Sequence, residues 1–251
     1  MSKLFIIDSV KFGTGKTTLS IHIAISLAIK YNKKVKLFYW SHDSVLYDLL
    51  SANVLCKLEL NDLIELIPIE VDSYESLVGL IKENMKEYEY VILDGTGDNI
   101  ICTEVYQLAS SIITPVSDSM LDLYTLISSL DESNNYMPSK YSSIIWKYRI
   151  GSFKVNATAP LNWVVVLNKY NLGKSNNRDM VISYLEKITK RFGIKYIKGI
   201  SNRVIYQSLF TGKENIFLTK KVSLNMVKRE FNVFMENLLI IKVLNYLILS
   251  I

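Results

Sequence analysis

Residues Lys3–Thr18 read KLFIIDSVKFGTGKTT, and their order decides the fold. Lys3–Asp8 is short and apolar, the pattern of a buried strand. Val10–Thr18 is a turn with two glycines, and Thr17–Ile29 (TTLSIHIAISLAI) is apolar enough for a buried helix. A strand, a glycine turn and a helix in that order build a cradle for phosphate. Loop N–H groups and the helix N-terminus converge on the anion, and the helix dipole favours its charge. Gly13 and Gly15 let the backbone curl without a Cβ clash. Lys16 is placed to reach the β- and γ-phosphates, and the Thr17 hydroxyl to hold Mg²⁺. Thr14 and Thr18 complete the expected nucleotide-binding set.

Working outward, Tyr90–Asp94 (YVILD) is an apolar strand ending in an acid. Asp94 at that strand end is a candidate Mg²⁺ ligand, directly or through water. Gly95 and Gly97 make the loop after it supple enough to respond to a γ-phosphate. Further strands are expected at Val35–Trp40, Leu66–Val71, Ser111–Val116 and Trp163–Asn168. Helices are expected at Asp43–Ser51, Tyr74–Tyr88, Met120–Leu130, Arg178–Phe192, Arg203–Phe210 and Val222–Leu249. Short apolar strands alternating with helices predict an α/β fold: a P-loop NTPase with a mostly parallel sheet and helices on both faces. With no internal repeat and no Gly/Pro/Ser linker, residues 1–251 read as one domain. Residues 131–160, irregular and polar, are a possible insertion.

Composition excludes several classes. Ten glycines and four prolines in 251 residues are too few for a fibrous or disordered chain. Two cysteines, Cys56 and Cys102, make no disulfide framework and suggest a reducing, cytoplasmic setting. MSKLFIID is too short an apolar stretch for a signal peptide, and no spanning helix is expected. Charge is asymmetric: residues 1–135 hold 10 Lys and 19 acids, whereas residues 136–251 hold 19 Lys+Arg and 5 acids. A basic half suits an anionic partner, or simply a solvated lysine-rich surface. His22, among isoleucines, reads as a packing histidine, and His42 as a surface-loop residue. Leu238–Ile251 is apolar with one charge, Lys242, and lacks the basic polar face of an interfacial helix. It is expected to pack on the domain or on a partner rather than on a membrane.

Lys11 stands before the phosphate-loop lysine, where Val10 replaces the usual first glycine. That second lysine resembles the deviant Walker A loop of the ParA/MinD class. SSIITPVSDSMLDLYTL (Ser110–Leu126), NWVVVLNKYN (Asn162–Asn171) and RFGIKYIKGISNRVIYQSLF (Arg191–Phe210) resemble the MipZ family of division-plane positioning ATPases within that class. The resemblance implies ATP and Mg²⁺ as cofactors and an ATP-dependent homodimer in which Lys11 reaches the partner's nucleotide. It implies an adenine contact at Asn168. It also implies ParB, FtsZ and non-specific DNA as partners, the last through a backbone-directed, salt-dependent contact.

Two departures carry expectations of their own. Phe12 stands where the family has a second consecutive glycine, at the place where two subunits close around nucleotide. Overpacking costs about 1–3 kcal/mol, and a two-fold interface meets it twice, so dimerisation is expected to be impaired or remodelled. The family's Asp-x-Asp pair after the first helix is replaced by Tyr39, Trp40 and Ser41, with Asp43 two residues on. Phosphoryl transfer depends on positioning, so slow hydrolysis is expected, with Asp43 a weak substitute for the missing acid. Three functions fit: a slow ATPase that regulates positioning through partners, a non-hydrolysing interaction protein on the same fold, and a metabolic P-loop enzyme.

Overall fold

The computed structural model describes residues 2–40, 44–60, 62–70, 74–95, 103–130, 136–155, 161–173, 175–208, 216–217 and 221–248. Seven strands form one parallel sheet: β1 (Lys3–Ile7), β2 (Val35–Trp40), β3 (Ile64–Ile69), β4 (Tyr90–Asp94), β5 (Ser111–Val116), β8 (Asn162–Leu167) and β9 (Lys195–Lys198). Their order across the sheet is β3-β2-β4-β1-β5-β8-β9. β1 is therefore central, in register with β4 from Lys3↔Tyr90 to Ile7↔Asp94 and with β5 from Phe5↔Ser111 to Ile7↔Ile113. The chain adds strands first on one side of β1 and then on the other. This switch point opens a crevice at the carboxyl ends of β1, β4 and β5.

Alternation along the strands divides the core. Phe5 and Ile7 of β1 belong to one apolar cluster, Leu4 and Ile6 to the other. On the first face pack α1 (Lys16–Tyr31), α2 (Ser44–Leu50) and α9 (Asn225–Ile248). On the second lie α3 (Tyr74–Glu87), α4 (Thr103–Leu108), α6 (Lys140–Val155) and α7 (Asn176–Phe192). Because α1 is apolar nearly all round, it is buried nearly all round, from Leu19 to Ala28. Asn32 closes it in the left-handed region at φ 48°, as the sequence suggests.

Several expectations need correction. The helix expected over Met120–Leu130 is a single turn, α5 (Met120–Leu123), followed by strand β6 (Ile127–Leu130). β6 pairs antiparallel with β7 (Tyr136–Pro138). The local apolar pattern is helical, but the hairpin partner lies beyond the polar stretch and overrides it. Residues 136–155 are not irregular: they form β7 and the 16-residue helix α6, which places Tyr141 and Ile145 in the core. Leu66–Val71 is displaced to Ile64–Ile69, and Arg203–Phe210 shrinks to one turn, α8 (Val204–Gln207). Asp43, Ser41, His42, Gly97 and Cys102 lie outside the described residues. Among the described residues no helix is long and apolar enough to cross a membrane, and no group of His, Cys, Asp and Glu could hold a metal on its own.

His22 is a packing residue, as expected. It is fully buried, its Nδ1 lies 2.7 Å from the Thr18 carbonyl, and Tyr206, Phe217 and Phe231 surround the ring. Burial pushes its pKa down from 6.5 to about 4, against the raising effect of the Thr18 carbonyl. The unfolded chain therefore binds a proton that the folded chain refuses. Stability from this site is present above pH 6.5 and is lost as pH falls toward 4, by about 3 kcal/mol in full. Urea unfolding at pH 7 and pH 4.5 measures the loss. In His22→Leu the pH-dependent part of the midpoint shift should shrink; an unchanged pH profile would show that other groups dominate acid unfolding.

Candidate nucleotide site

The turn between β1 and α1 occupies the sheet's switch point. Gly13 and Gly15 have φ of +75° and +91°, a region that side chains with a Cβ avoid. Gly15 is also closely overlain: a Cβ there would come 2.5 Å from Asn168 Nδ2. Lys16 opens α1 and is buried. Its Nζ donates to the Ser9 and Lys11 carbonyls at 3.3 and 3.1 Å and lies 5.6 Å from the centre of the Phe12 ring. The amine is thus already inside the loop's curl, held by backbone acceptors. Thr14 is buried with its Oγ1 donating to the Lys11 carbonyl at 3.4 Å, and Thr17 and Thr18 follow in the first turn of α1.

Asp94 reaches the same turn. Ser20 Oγ donates to Asp94 Oδ1 at 2.9 Å, and Tyr47 OH donates to Oδ2 at 2.8 Å. Ser20 lies one helical turn beyond Thr17, so the carboxylate is braced against the α1 face that carries Thr17. Asp8, at the end of β1, is a second buried acid here. Burial pushes its carboxyl above the usual range, opposed by the Tyr106 hydroxyl (2.7 Å) and the Lys16 charge. Gly95 is required beside it, since a Cβ there would lie 2.5 Å from Asp8 Oδ1.

The end of β8 braces the loop from the other side. Asn168 donates from Nδ2 to the Thr14 carbonyl at 2.8 Å and accepts from Ile200 N–H at 3.2 Å. Both groups of its amide are engaged with protein backbone. Lys169, held at φ 53°, stretches along Gly15 and donates from Nζ to the Gly13 carbonyl at 2.9 Å. Lys11 is ion-paired within its own chain to Asp122, a buried acid of α5 that also accepts from Ser117 N–H at 2.8 Å. Phe12 projects from the loop, 60% exposed.

Gly13, Thr14, Gly15, Lys16, Thr17, Asp94 and Asn168 are thus gathered at one end of the sheet, with Lys11 at the rim. Sequence reading missed Asp8, Ser20, Tyr47, Asp122 and Lys169. For Asp8 a signal existed, because an acid closing an apolar strand two residues before a phosphate loop is out of pattern. Tyr47 and Asp122 act only through tertiary contacts.

The family model described as ATPase MipZ matches residues 46–238, more than half of the chain. The chain belongs to the MipZ family. The match starts after the phosphate loop, so the loop and the family point to the same kind of protein through separate residues. Solved structures share the fold. Apo McdA from Cyanothece superposes with a TM-score of 0.65 at 17% identity, over 95% of this chain and 100% of that one. A putative plasmid partition protein from Borrelia burgdorferi, bound to AMPPNP, gives 0.58 at 16%, over 94% and 100%. The septum site-determining protein MinD from Pyrococcus horikoshii, complexed with Mg-ADP, gives 0.56 at 16%, over 95% and 96%. No curated protein matches the sequence. The matched family is described as one of ATPases, and the McdA, partition-protein and MinD structures share this chain's fold.

Proposed function

We propose that this chain binds Mg·ATP in the β1–α1 loop, hydrolyses it slowly, and regulates positioning through partners rather than through the chemistry itself. The juxtaposition of two left-handed glycines, buried Lys16 and the braced Asp94 carboxylate at one sheet end carries this reading. The residues suit the ligand. Loop N–H groups from Gly13 to Thr18 would take phosphate oxygens, with Lys16 exchanging its two carbonyl acceptors for phosphate. Thr17 and Asp94 would hold Mg²⁺, which supplies charge neutralisation on the phosphates. The nucleotides in the Borrelia protein and in Pyrococcus MinD support the reading by likeness of fold. Asn168, with both amide groups engaged, is best suited to hold the loop in shape, and Lys169 to cover it.

The finer roles follow from the family. Lys11 would act on a partner subunit's nucleotide only after leaving Asp122. ParB, FtsZ and non-specific DNA are the partners we propose, the DNA backbone being met by basic residues of the second half such as Lys187, Lys190 and Arg191. Turnover measured with and without ParB-type protein and duplex DNA tests this; a slow basal rate raised by a partner is expected.

A second reading, a nucleotide-binding protein that does not hydrolyse, is favoured by one observation. Tyr39, in the stretch where the family places its Asp-x-Asp pair, stacks on Tyr47 at 3.9 Å between ring centroids, and Tyr47 engages Asp94. An aromatic pair there offers no carboxylate to orient water. Nucleotide binding without phosphate release, and partner binding indifferent to nucleotide, would support this second reading.

Phe12 sets the oligomeric expectation. As an exposed ring at the loop tip it meets any second subunit that closes on the nucleotide. Phe12→Gly should strengthen ATP-dependent dimerisation about tenfold or more, from about 1 kcal/mol or more relieved on each side. Light scattering with Mg·ATP measures it; equally tight dimers with and without Phe12 would show that the interface accommodates the ring.

A further inference from the structure

At the far edge of the sheet lies a groove of about 700 Å³ between β9 and α9. Among the described residues β9 pairs only with β8, as the last strand of the sheet. In a parallel pair each strand turns half of its main-chain groups toward its neighbour. The other half of β9's groups face away from β8, and its residues Tyr196, Ile197 and Lys198 line this groove. The floor is apolar, formed by Ile197 and Phe234, and the opposite wall presents Met226 and Val233, which are 75% and 48% exposed. Apolar side chains beside an open strand edge are an arrangement that receives an added strand.

Charge decides what kind of strand. Lys198 and Arg229 line the groove, and neither has an acidic partner among the described residues. The one acid in the lining, Glu230, is already satisfied. It accepts from Tyr170 OH at 2.6 Å, Ser201 N–H at 3.1 Å, Ser201 Oγ at 2.9 Å and Tyr206 OH at 3.0 Å, and Arg203 lies beside it. The groove is therefore apolar inside, cationic at its rim, and offers main-chain pairing along one side. We infer that it docks an extended, acidic segment of a partner protein, with apolar residues at alternate positions to enter the floor and acids between them to meet Lys198 and Arg229. A nucleic-acid duplex is a poorer fit, because its phosphates would have to reach two cations flanking an apolar recess.

The test is a random ten-residue peptide display library selected on the immobilised full chain, with the enriched peptides remeasured by fluorescence anisotropy. The expected outcome is enrichment of peptides alternating Asp or Glu with apolar residues. Their binding should weaken about tenfold or more in Arg229→Glu and in Lys198→Glu, and also in Met226→Asp. All three sites are on the surface, and an unchanged thermal midpoint identifies a folded variant. The inference is overturned if no peptide is enriched, if the enriched peptides lack acids, or if Arg229→Glu and Lys198→Glu bind them equally well. It is overturned equally if a 20-base-pair duplex is the ligand that these substitutions abolish, or if they convert a dimer of this chain to monomer, since the groove would then serve DNA or a second copy.

Discussion

Replacing Lys16 with alanine should abolish Mg·ATP binding, with affinity falling about a hundredfold or more. Lys16 is the only cation that this loop buries at the mouth of α1, and its amine already sits among backbone acceptors inside the curl. A charge-assisted hydrogen bond is worth about 1.5–3 kcal/mol, and Lys16 can offer more than one to adjacent phosphate oxygens. Losing about 3 kcal/mol corresponds to a factor of about a hundred in affinity. Fold stability should change far less, because alanine at a helix start keeps α1 intact. Titration of Mg·ATP and Mg·ADP into the unmodified and Lys16→Ala chains, with thermal melts alongside, separates the two effects. Binding retained in Lys16→Ala would move the site away from this loop.

Gly15→Ala should damage both the fold and the site. Alanine at φ +91° is strained by about 1–2 kcal/mol. Its Cβ would also stand 2.5 Å from Asn168 Nδ2, on an amide that ties the loop to the Thr14 carbonyl and to Ile200. Either the loop or the amide must move, and a buried hydrogen bond worth about 1 kcal/mol or more goes with it. A total of about 2–4 kcal/mol lowers the thermal midpoint by roughly 5–10 °C for a chain of this size, and nucleotide affinity should fall with it. Gly13→Ala is the control. It carries a positive φ of +75° but meets nothing within 4 Å, so only the backbone strain applies. Gly15→Ala and Gly13→Ala melting alike would contradict the close approach of Asn168.

Much of this was open to sequence reading, for identifiable reasons. β1, β2, β4, β5 and β8 are short, mostly apolar runs, and a buried parallel strand leaves few other options. The phosphate loop is legible because its residues are adjacent in sequence and its glycines meet a local backbone demand. Contacts across the sheet were not legible. Nothing in LDLYTL marks Asp122 as the partner of Lys11, and nothing in LNKYN marks Lys169 as a strap over Gly13, because both pairings join segments more than a hundred residues apart. α6 escaped because KYSSIIWKYRIGSFKV interleaves serines and cations with its apolar residues, and its helicity rests on packing Tyr141 and Ile145 against the sheet. Asn168, expected from the resemblance to meet the base, has both groups of its amide engaged with protein backbone, which only the fold reveals.

The most direct test of the account is equilibrium binding of Mg·ATP and Mg·ADP to the purified, unmodified chain. Saturable binding of one nucleotide per chain is expected, weakened when Mg²⁺ is withheld. No binding at millimolar nucleotide would contradict it, and would mean that Phe12, the two carbonyls on Lys16 and the Lys169 strap leave the loop closed to phosphate.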